Sequence, residues 1–198
     1  LLRLAQKPSM MLIGSFAAMI LLGRLLLTLP ISVTQLGHVS YVDALFTMTS
    51  AVCVTGLAVN DVGTTFTLFG QGVILTGIQL GGIGIMTIAA LALAFSSNTS
   101  LQSQLRYAEM MDARTLADLR TIVVSILAGT FVIEAIGAFA LWSMFTGDPR
   151  LAEQSALWMA VFHAVSAFCN AGFSLFPGGL TQFAGDFGVQ LTIMLLIV

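Results

Sequence analysis

Long apolar segments alternate with short ones along this chain, and the polar residues between them mark where each must end. Residues 10–29 are twenty mostly apolar residues closed by Pro30, enough to span a hydrocarbon core of ~30 Å at ~1.5 Å per residue. A loop over residues 31–42 follows, holding Ser, Thr, Gly and His38. Residues 43–52 then predict a short helix, with Ser40 as its cap and Asp43 in its first turn, where the helix dipole favours a negative charge. That helix is too short to cross, so the pattern predicts a re-entrant segment. The polar, glycine-containing run 55–67 cannot lie in lipid with its backbone unsatisfied, so it must leave the membrane or line a wet cavity. Asp61, Thr64 and Thr65 direct it back outward.

Residues 71–95 predict the next spanning helix. Its Gly77, Gly81, Gly82 and Gly84 predict close helix packing, with room to bend beside a pore as the alternative. The polar segment 96–120 carries Leu101, Leu105, Ala108, Leu116 and Leu119 near helical spacing. It predicts an amphipathic helix, either a solvated connection or a docking surface for a cytosolic partner. Residues 121–145 span again with Glu134 near the middle, and Thr146-Gly147-Asp148-Pro149 forms an outer turn. Residues 155–168 are a second sub-membrane helix, capped near Glu153, and Cys169-Asn170-Ala171-Gly172-Phe173 is the turn after it. Pro177-Gly178-Gly179 and Gly185-Asp186 form the outer return before residues 187–198 open a fourth spanning helix. With Leu1 at its start, no visible signal peptide and an apolar run at its end, the chain is expected to be a piece of a longer one.

The two short helices are copies. Shifted by 116 residues, 44–57 overlies 160–173 with six of fourteen positions identical, including a Ser-Ala-x-Cys-x-x-Gly frame. Two spaced copies of one motif in an apolar chain indicate a duplicated unit. The repeats are taken as 1–95 and 121–198, joined by 96–120, each reading as membrane helix, re-entrant helix, turn and membrane helix. An even number of crossings separates them, so both share one orientation.

Composition fixes the solvent. With 58% hydrophobic and 8% charged residues and a mean hydropathy of +1.00, the chain is an all-α integral membrane protein, far from the ~25% charge of soluble domains. Arg3, Lys7, Arg106, Arg114 and Arg120 collect on one side, which the positive-inside rule makes cytoplasmic, with the N-terminus. The other side carries Asp43, Asp61, Asp148, Glu153 and Asp186 against one base, Arg150, an excess that raises local cation concentration at an outer mouth. Arg24 lies within the first span and either snorkels outward or pairs with Glu134. Cys53 and Cys169 occupy equivalent repeat positions, which symmetry holds apart around an axis, so they are read as small buried hydrophobes rather than a disulfide.

A short helix entering from outside and ending at mid-membrane points its negative C-terminal dipole inward, favouring a cation there. Extended residues beyond it expose carbonyls, and several such loops around an axis replace the hydration shell of a monovalent cation. Glycine is needed where the chain must adopt conformations forbidden to a residue with a Cβ. The candidate ion-binding residues are therefore Val54, Thr55 and Gly56 in one copy and Asn170, Ala171 and Gly172 in the other, acting through their carbonyls. His38 and His163 are isolated, with no catalytic or zinc-ligand spacing, and His163 is read as packed or hydrogen-bonded. Thr49, Ser50 and Ser166 are read as hydrogen-bonding within their helices.

Cys53-Val54-Thr55-Gly56-Leu57, with Thr64-Thr65-Phe66-Thr67 and Gly81-Gly82-Ile83-Gly84, resembles the Ktr/Trk/HKT superfamily of cation transporters, nearest to the membrane subunits of Ktr potassium uptake systems. That resemblance implies four membrane-pore-membrane repeats with a single-glycine filter loop in each, of which Gly56 and Gly172 match the first two. Glycine at position 56, where sodium-preferring relatives carry serine, implies potassium permeation. The resemblance also implies a homodimer in the cell membrane, a cytosolic nucleotide-binding regulatory ring (a KtrA-like subunit), and sodium-dependent activation, which no residue here demonstrates. The leading reading is potassium uptake through a carbonyl-lined filter, with K+ as cargo, no cofactor, no enzymatic activity and no nucleic-acid partner. The alternative is an ion-coupled secondary transporter whose site at the repeat interface uses Glu134 as a proton or sodium ligand; a pore-free structural subunit is a third.

Overall fold

Several helices of this protein begin where a side chain takes up a free backbone N–H group. The computed structural model describes residues 8–34, 39–84, 116–151 and 155–197, and the regular structure among them is helical apart from an isolated antiparallel bridge between Val33 and Phe66. In chain order the helices are α1 (Pro8–Leu27), α2 (Tyr41–Val52), α3 (Val62–Thr65), α4 (Leu68–Ile83), α5 (Leu116–Phe145), α6 (Ala156–Phe168) and α7 (Phe187–Ile197). Ser40 caps α2 by accepting from the Asp43 amide at 3.1 Å, while the Asp43 carboxylate accepts from the Ser40 amide at 3.1 Å. This reciprocal box puts Asp43 at the third helical position, so α2 starts at Tyr41, two residues earlier than the pattern predicts. Asp61 caps the one-turn helix α3, which the sequence pattern does not announce.

Other boundaries also move. The helix expected over residues 71–95 is described as Leu68–Ile83: Thr67 caps its start, and Gly84, at φ 85°, ends it. Residues 85–95 lie outside the described residues, as do Arg3, Lys7, His38, Leu101, Leu105, Arg106, Ala108, Arg114 and Glu153. The cap of α6 is Ser155, which accepts from the Trp158 amide. Among the described residues, 121–145 of α5 are long and apolar enough to cross a membrane, with a mean hydropathy of 2.2, while 13–27, α4, α6 and α7 contribute shorter apolar helices. Phe131, Val132, Ile136 and Phe139 of α5 are all more than half exposed, an outward face suited to hydrocarbon.

Packing follows the duplication and then bridges it. Helices α1, α2 and α4 pack together, as do α5, α6 and α7, and α4 rests on α6. One core results, with Leu27, Met48, Val52, Ile74 and Ile78 on one side and Leu141, Phe145, Phe162 and Phe183 on the other. Two glutamines of α4 tie the halves. Gln71 accepts from Trp158 Nε1 at 2.7 Å and donates to the Phe66 carbonyl at 2.9 Å, while Gln79 donates to Glu134 at 2.8 Å. Glu134 is thus engaged by Gln79, and the Arg24 guanidinium instead lies over the Tyr41 ring at 5.4 Å.

The connections between helices are held by their own polar groups. Thr34 donates its amide to the Thr65 carbonyl and Thr67 its amide to the Ser32 carbonyl, zipping the two loops of the first half together. In the second half, Arg150 pairs with Asp148 and with Asp186 at 2.7 Å, donates to the Gln182 carbonyl, and covers the Phe183 ring. Hydrogen bonding from Arg150 holds the Asp148 carboxyl below its ordinary range, and the same carboxylate, followed by Asp186, raises the guanidinium. Arg150 is therefore neutralised by two acids.

Candidate functional site

The stretches after α2 and α6 take the same path. In the first, the Cys53 amide donates to the Thr49 carbonyl, Val54 to Ala51 and Thr55 to Ser50; in the second, Cys169 donates to Val165, Asn170 to Ala167 and Ala171 to Ser166. Val54 at φ 56° and Asn170 at φ 57° are the non-glycine residues with positive φ among those described, and Gly56 and Gly172 follow at 75° and 71°. A β-branched residue such as Val54 is a marked outlier there, and strain of this kind costs about 1–3 kcal/mol and persists only where its surroundings enforce it. Thr55 and Ala171, between the paired outliers, keep negative φ.

The structure brings all six predicted residues into two facing turns. An added Cβ on Gly56 would lie 2.6 Å from the Ala171 carbonyl oxygen and 3.3 Å from Gly172 Cα; one on Gly172 would lie 3.5 Å from Gly56 Cα. Ala171 is fully buried, Val54 and Gly56 are half-buried, and Thr55, Asn170 and Gly172 are exposed. Behind the second turn lies a cavity of about 260 Å³ bordered by Ser166, Asn170, Gly172, Ser174 and Leu180.

Glycines of α4 set this approach. A Cβ on Gly81 would lie 2.2 Å from the Val52 carbonyl oxygen, and one on Gly82 would lie 2.4 Å from Cys169 Sγ. The last turn of α4 is thus wedged against the C-terminal ends of both short helices, the close packing expected of these glycines. The cysteines part company here: both are free, but only Cys169 is buried, beneath Gly82, while Cys53 is exposed. Reading both as buried hydrophobes is therefore wrong for Cys53, because no described helix covers it as α4 covers Cys169.

The serines of the shared frame also act differently from expectation. Thr49 donates back to the Leu45 carbonyl within α2. Ser50 and Ser166 instead reach out of their helices. Ser50 Oγ accepts from Thr55 Oγ1 at 2.9 Å and from the Leu57 amide at 2.7 Å, and Ser166 Oγ donates to the Phe173 carbonyl at 2.7 Å. In both repeats a bond ends on the residue after the glycine. Removing either hydroxyl leaves a backbone group of the turn unpaired, which costs about 1–3 kcal/mol. Ser50→Ala and Ser166→Ala should each lower the unfolding temperature of the purified protein by several degrees, and Thr49→Ala, which leaves the turns untouched, by clearly less; equal small losses in all three would contradict this bracing.

His163 is buried, as expected of a packed histidine. The Leu175 amide donates to Nε2 at 3.3 Å, so the ring proton is on Nδ1, which donates to the Met159 carbonyl at 2.7 Å. Among the described residues no group of three His, Cys, Asp or Glu side chains could hold a metal ion. The oxygen atoms the turns offer are backbone carbonyls, the Thr55 hydroxyl and the Asn170 amide, and α2 and α6 each end here with about half a negative charge from the helix dipole.

Residues 4–198 match the TrkH family, described as cation transport protein. The chain is 41% identical over 192 residues to Ktr system potassium uptake protein B of Bacillus subtilis, covering 96% of this chain and 42% of that protein. Ktr system potassium uptake protein B of Vibrio alginolyticus is 39% identical, over 90% of this chain and 39% of its own length. Potassium/sodium uptake protein NtpJ of Enterococcus hirae is 36% identical, over 87% of this chain and 38% of its own length. The chain thus spans about two fifths of the length of the curated relatives it matches. With a match over nearly its whole length, the chain belongs to the TrkH family of membrane cation transport proteins, which are not enzymes.

Proposed function

We propose that Val54-Thr55-Gly56 and Asn170-Ala171-Gly172 are two sectors of a carbonyl-lined filter through which potassium enters the cell. In this reading α2 and α6 are re-entrant pore helices of two membrane-pore-membrane repeats, 1–95 and 121–198, linked by the cytoplasmic segment 96–120. The observation that carries it is the shared backbone of the two turns, which alternate the sign of φ and meet at Gly56 and Gly172. Alternating handedness turns successive carbonyls toward one side of the chain, as a ring of oxygens around a cation requires. The names of the relatives supply the ion: potassium in the Ktr proteins, potassium and sodium in the Enterococcus protein. Sodium is therefore the competing or co-activating cation in this reading.

The complete protein is a multi-pass protein of the cell membrane with a cytoplasmic N-terminus, a homodimer surrounded by lipid, regulated through 96–120 by a cytosolic nucleotide-binding ring. Glu134, the candidate ligand of an ion-coupled site, is already engaged by Gln79, and we assign it to holding the repeats together. The test is Gly172→Ser in the full-length protein. Its Cβ has room, so the chain can fold, but the left-handed turn is strained and its carbonyls shift. In proteoliposomes the ratio of potassium to sodium uptake should fall about fivefold, near 1 kcal/mol at 1.4 kcal/mol per decade. An unchanged ratio in normally assembled protein overturns the filter assignment.

A further inference from the structure

The two turns match in backbone but not in what stands behind them. Position 47 of the first repeat corresponds to 163 of the second, and the residues are threonine and histidine. The Thr47 hydroxyl is buried with no hydrogen-bond partner among the described residues. The His163 ring, by contrast, spans the space between α6 and the segment leaving its turn. Its Nδ1 donates to the Met159 carbonyl on α6, and its Nε2 meets the Ser174 hydroxyl at 3.0 Å and the Leu175 amide at 3.3 Å. Ser174 in turn accepts from the Phe176 amide, and the Phe176 ring stacks on the imidazole at 4.5 Å, with Phe145 and Phe162 edge-on around it. The counterpart of Ser174 in the first repeat is Ala58, which has no hydroxyl to offer.

We propose that His163 is a positioning residue for ion discrimination: it clamps residues 174–176, and through them Gly172 and Phe173, making the second turn the stiffer of two backbones of the same shape. The inference rests on the filter reading and adds an asymmetry to it. A ring of carbonyls discriminates between cations by the number and field strength of the oxygens it can hold in place. A turn fixed by Ser166 on one side and His163 on the other resists collapse around a smaller ion; among the described residues, the first turn has only Ser50 in the corresponding role.

The experiment uses the full-length protein in proteoliposomes, with potassium and sodium uptake measured separately and normalised to inserted protein. His163→Phe keeps the ring and its stacking but removes both nitrogens. Its potassium-to-sodium ratio should fall about threefold, the scale of one lost hydrogen bond, while potassium uptake persists. His163→Gln, whose amide oxygen can accept from the Leu175 amide, should recover at least half of the loss. Thr47→Val, at the equivalent site, should leave the ratio unchanged. A wild-type ratio in normally assembled His163→Phe overturns the proposal. Should that variant not assemble, Ser174→Ala removes the hydroxyl from Nε2, and a wild-type ratio there overturns it equally. Gly172→Ser in the same assay separates the two levels: if it shifts the ratio and His163→Phe does not, only the clamp fails, and if neither does, the filter reading fails with it.

Discussion

Gly56→Ala should reduce potassium uptake by the full-length protein roughly 30-fold, whereas Gly172→Ala should reduce it only about fivefold. Both substitutions place a side chain in the left-handed region, at φ 75° and 71°, and each incurs about 1–2 kcal/mol for that reason. The positions differ in what the new methyl group meets. At Gly172 it finds Gly56 Cα at 3.5 Å, an ordinary contact; at Gly56 it finds the Ala171 carbonyl oxygen at 2.6 Å. That oxygen belongs to the facing turn's backbone and cannot swing aside like a side chain. Relief must come from separating the turns, which adds at least another ~1 kcal/mol of strain, and each 1.4 kcal/mol is a factor of about ten. Initial uptake rates, normalised to inserted protein, decide the matter. Equal losses at the two glycines would show that the turns do not face each other as described.

The second large effect falls on stability. Gly81→Ala drives a methyl group to 2.2 Å from the Val52 carbonyl oxygen, again backbone, and 2.9 Å from its carbon. Forcing α4 off the end of α2 should cost about 2–4 kcal/mol, the range of severe overpacking. At Gly72, on the same helix, an added Cβ would find nothing within 4 Å. There alanine should be neutral or stabilising by up to about 1 kcal/mol, because it restricts the unfolded chain and favours helix. Thermal unfolding of the two purified variants should therefore move in opposite directions or differ by many degrees; indistinguishable midpoints would contradict the wedge of α4 between the short helices.

What the sequence disclosed was local or repeated. Ser40 and Asp43 announce a helix start because a capping hydroxyl and a first-turn carboxylate lie within four residues of each other, and both could be read directly. The Ser-Ala-x-Cys-x-x-Gly frame could be found because it occurs twice, and both copies fold into the same turn. The Gly77 and Gly81 spacing pointed to close packing, and Gly81 and Gly82 do meet neighbouring helices. Links between distant residues were not legible: Gln71 with Trp158 and Gln79 with Glu134 join positions 87 and 55 apart, and nothing near any of them in the chain signals its partner. The task of Ser50 and Ser166 was hidden for a related reason. Buried serines commonly bond back to their own helix, and only the fold of the turn reveals a nearer partner beyond the glycine. Cys53 shows the limit of symmetry, since two residues alike in the repeat find different neighbours.

The two glutamines of α4 have a mechanical consequence. They lie eight residues apart, about 12 Å along the axis at 1.5 Å per residue, and each grips a different helix of the second half, Gln71 the tryptophan of α6 and Gln79 the glutamate of α5. A single link would serve as a pivot about which the halves could rock. Two links spaced along one rod, with the rod's last turn lodged between α2 and α6, form a braced strut that resists tilt as well as sliding. The paired turns are thus mounted on a common frame, and a force applied to one half of this structure is carried to the other as the motion of a single block.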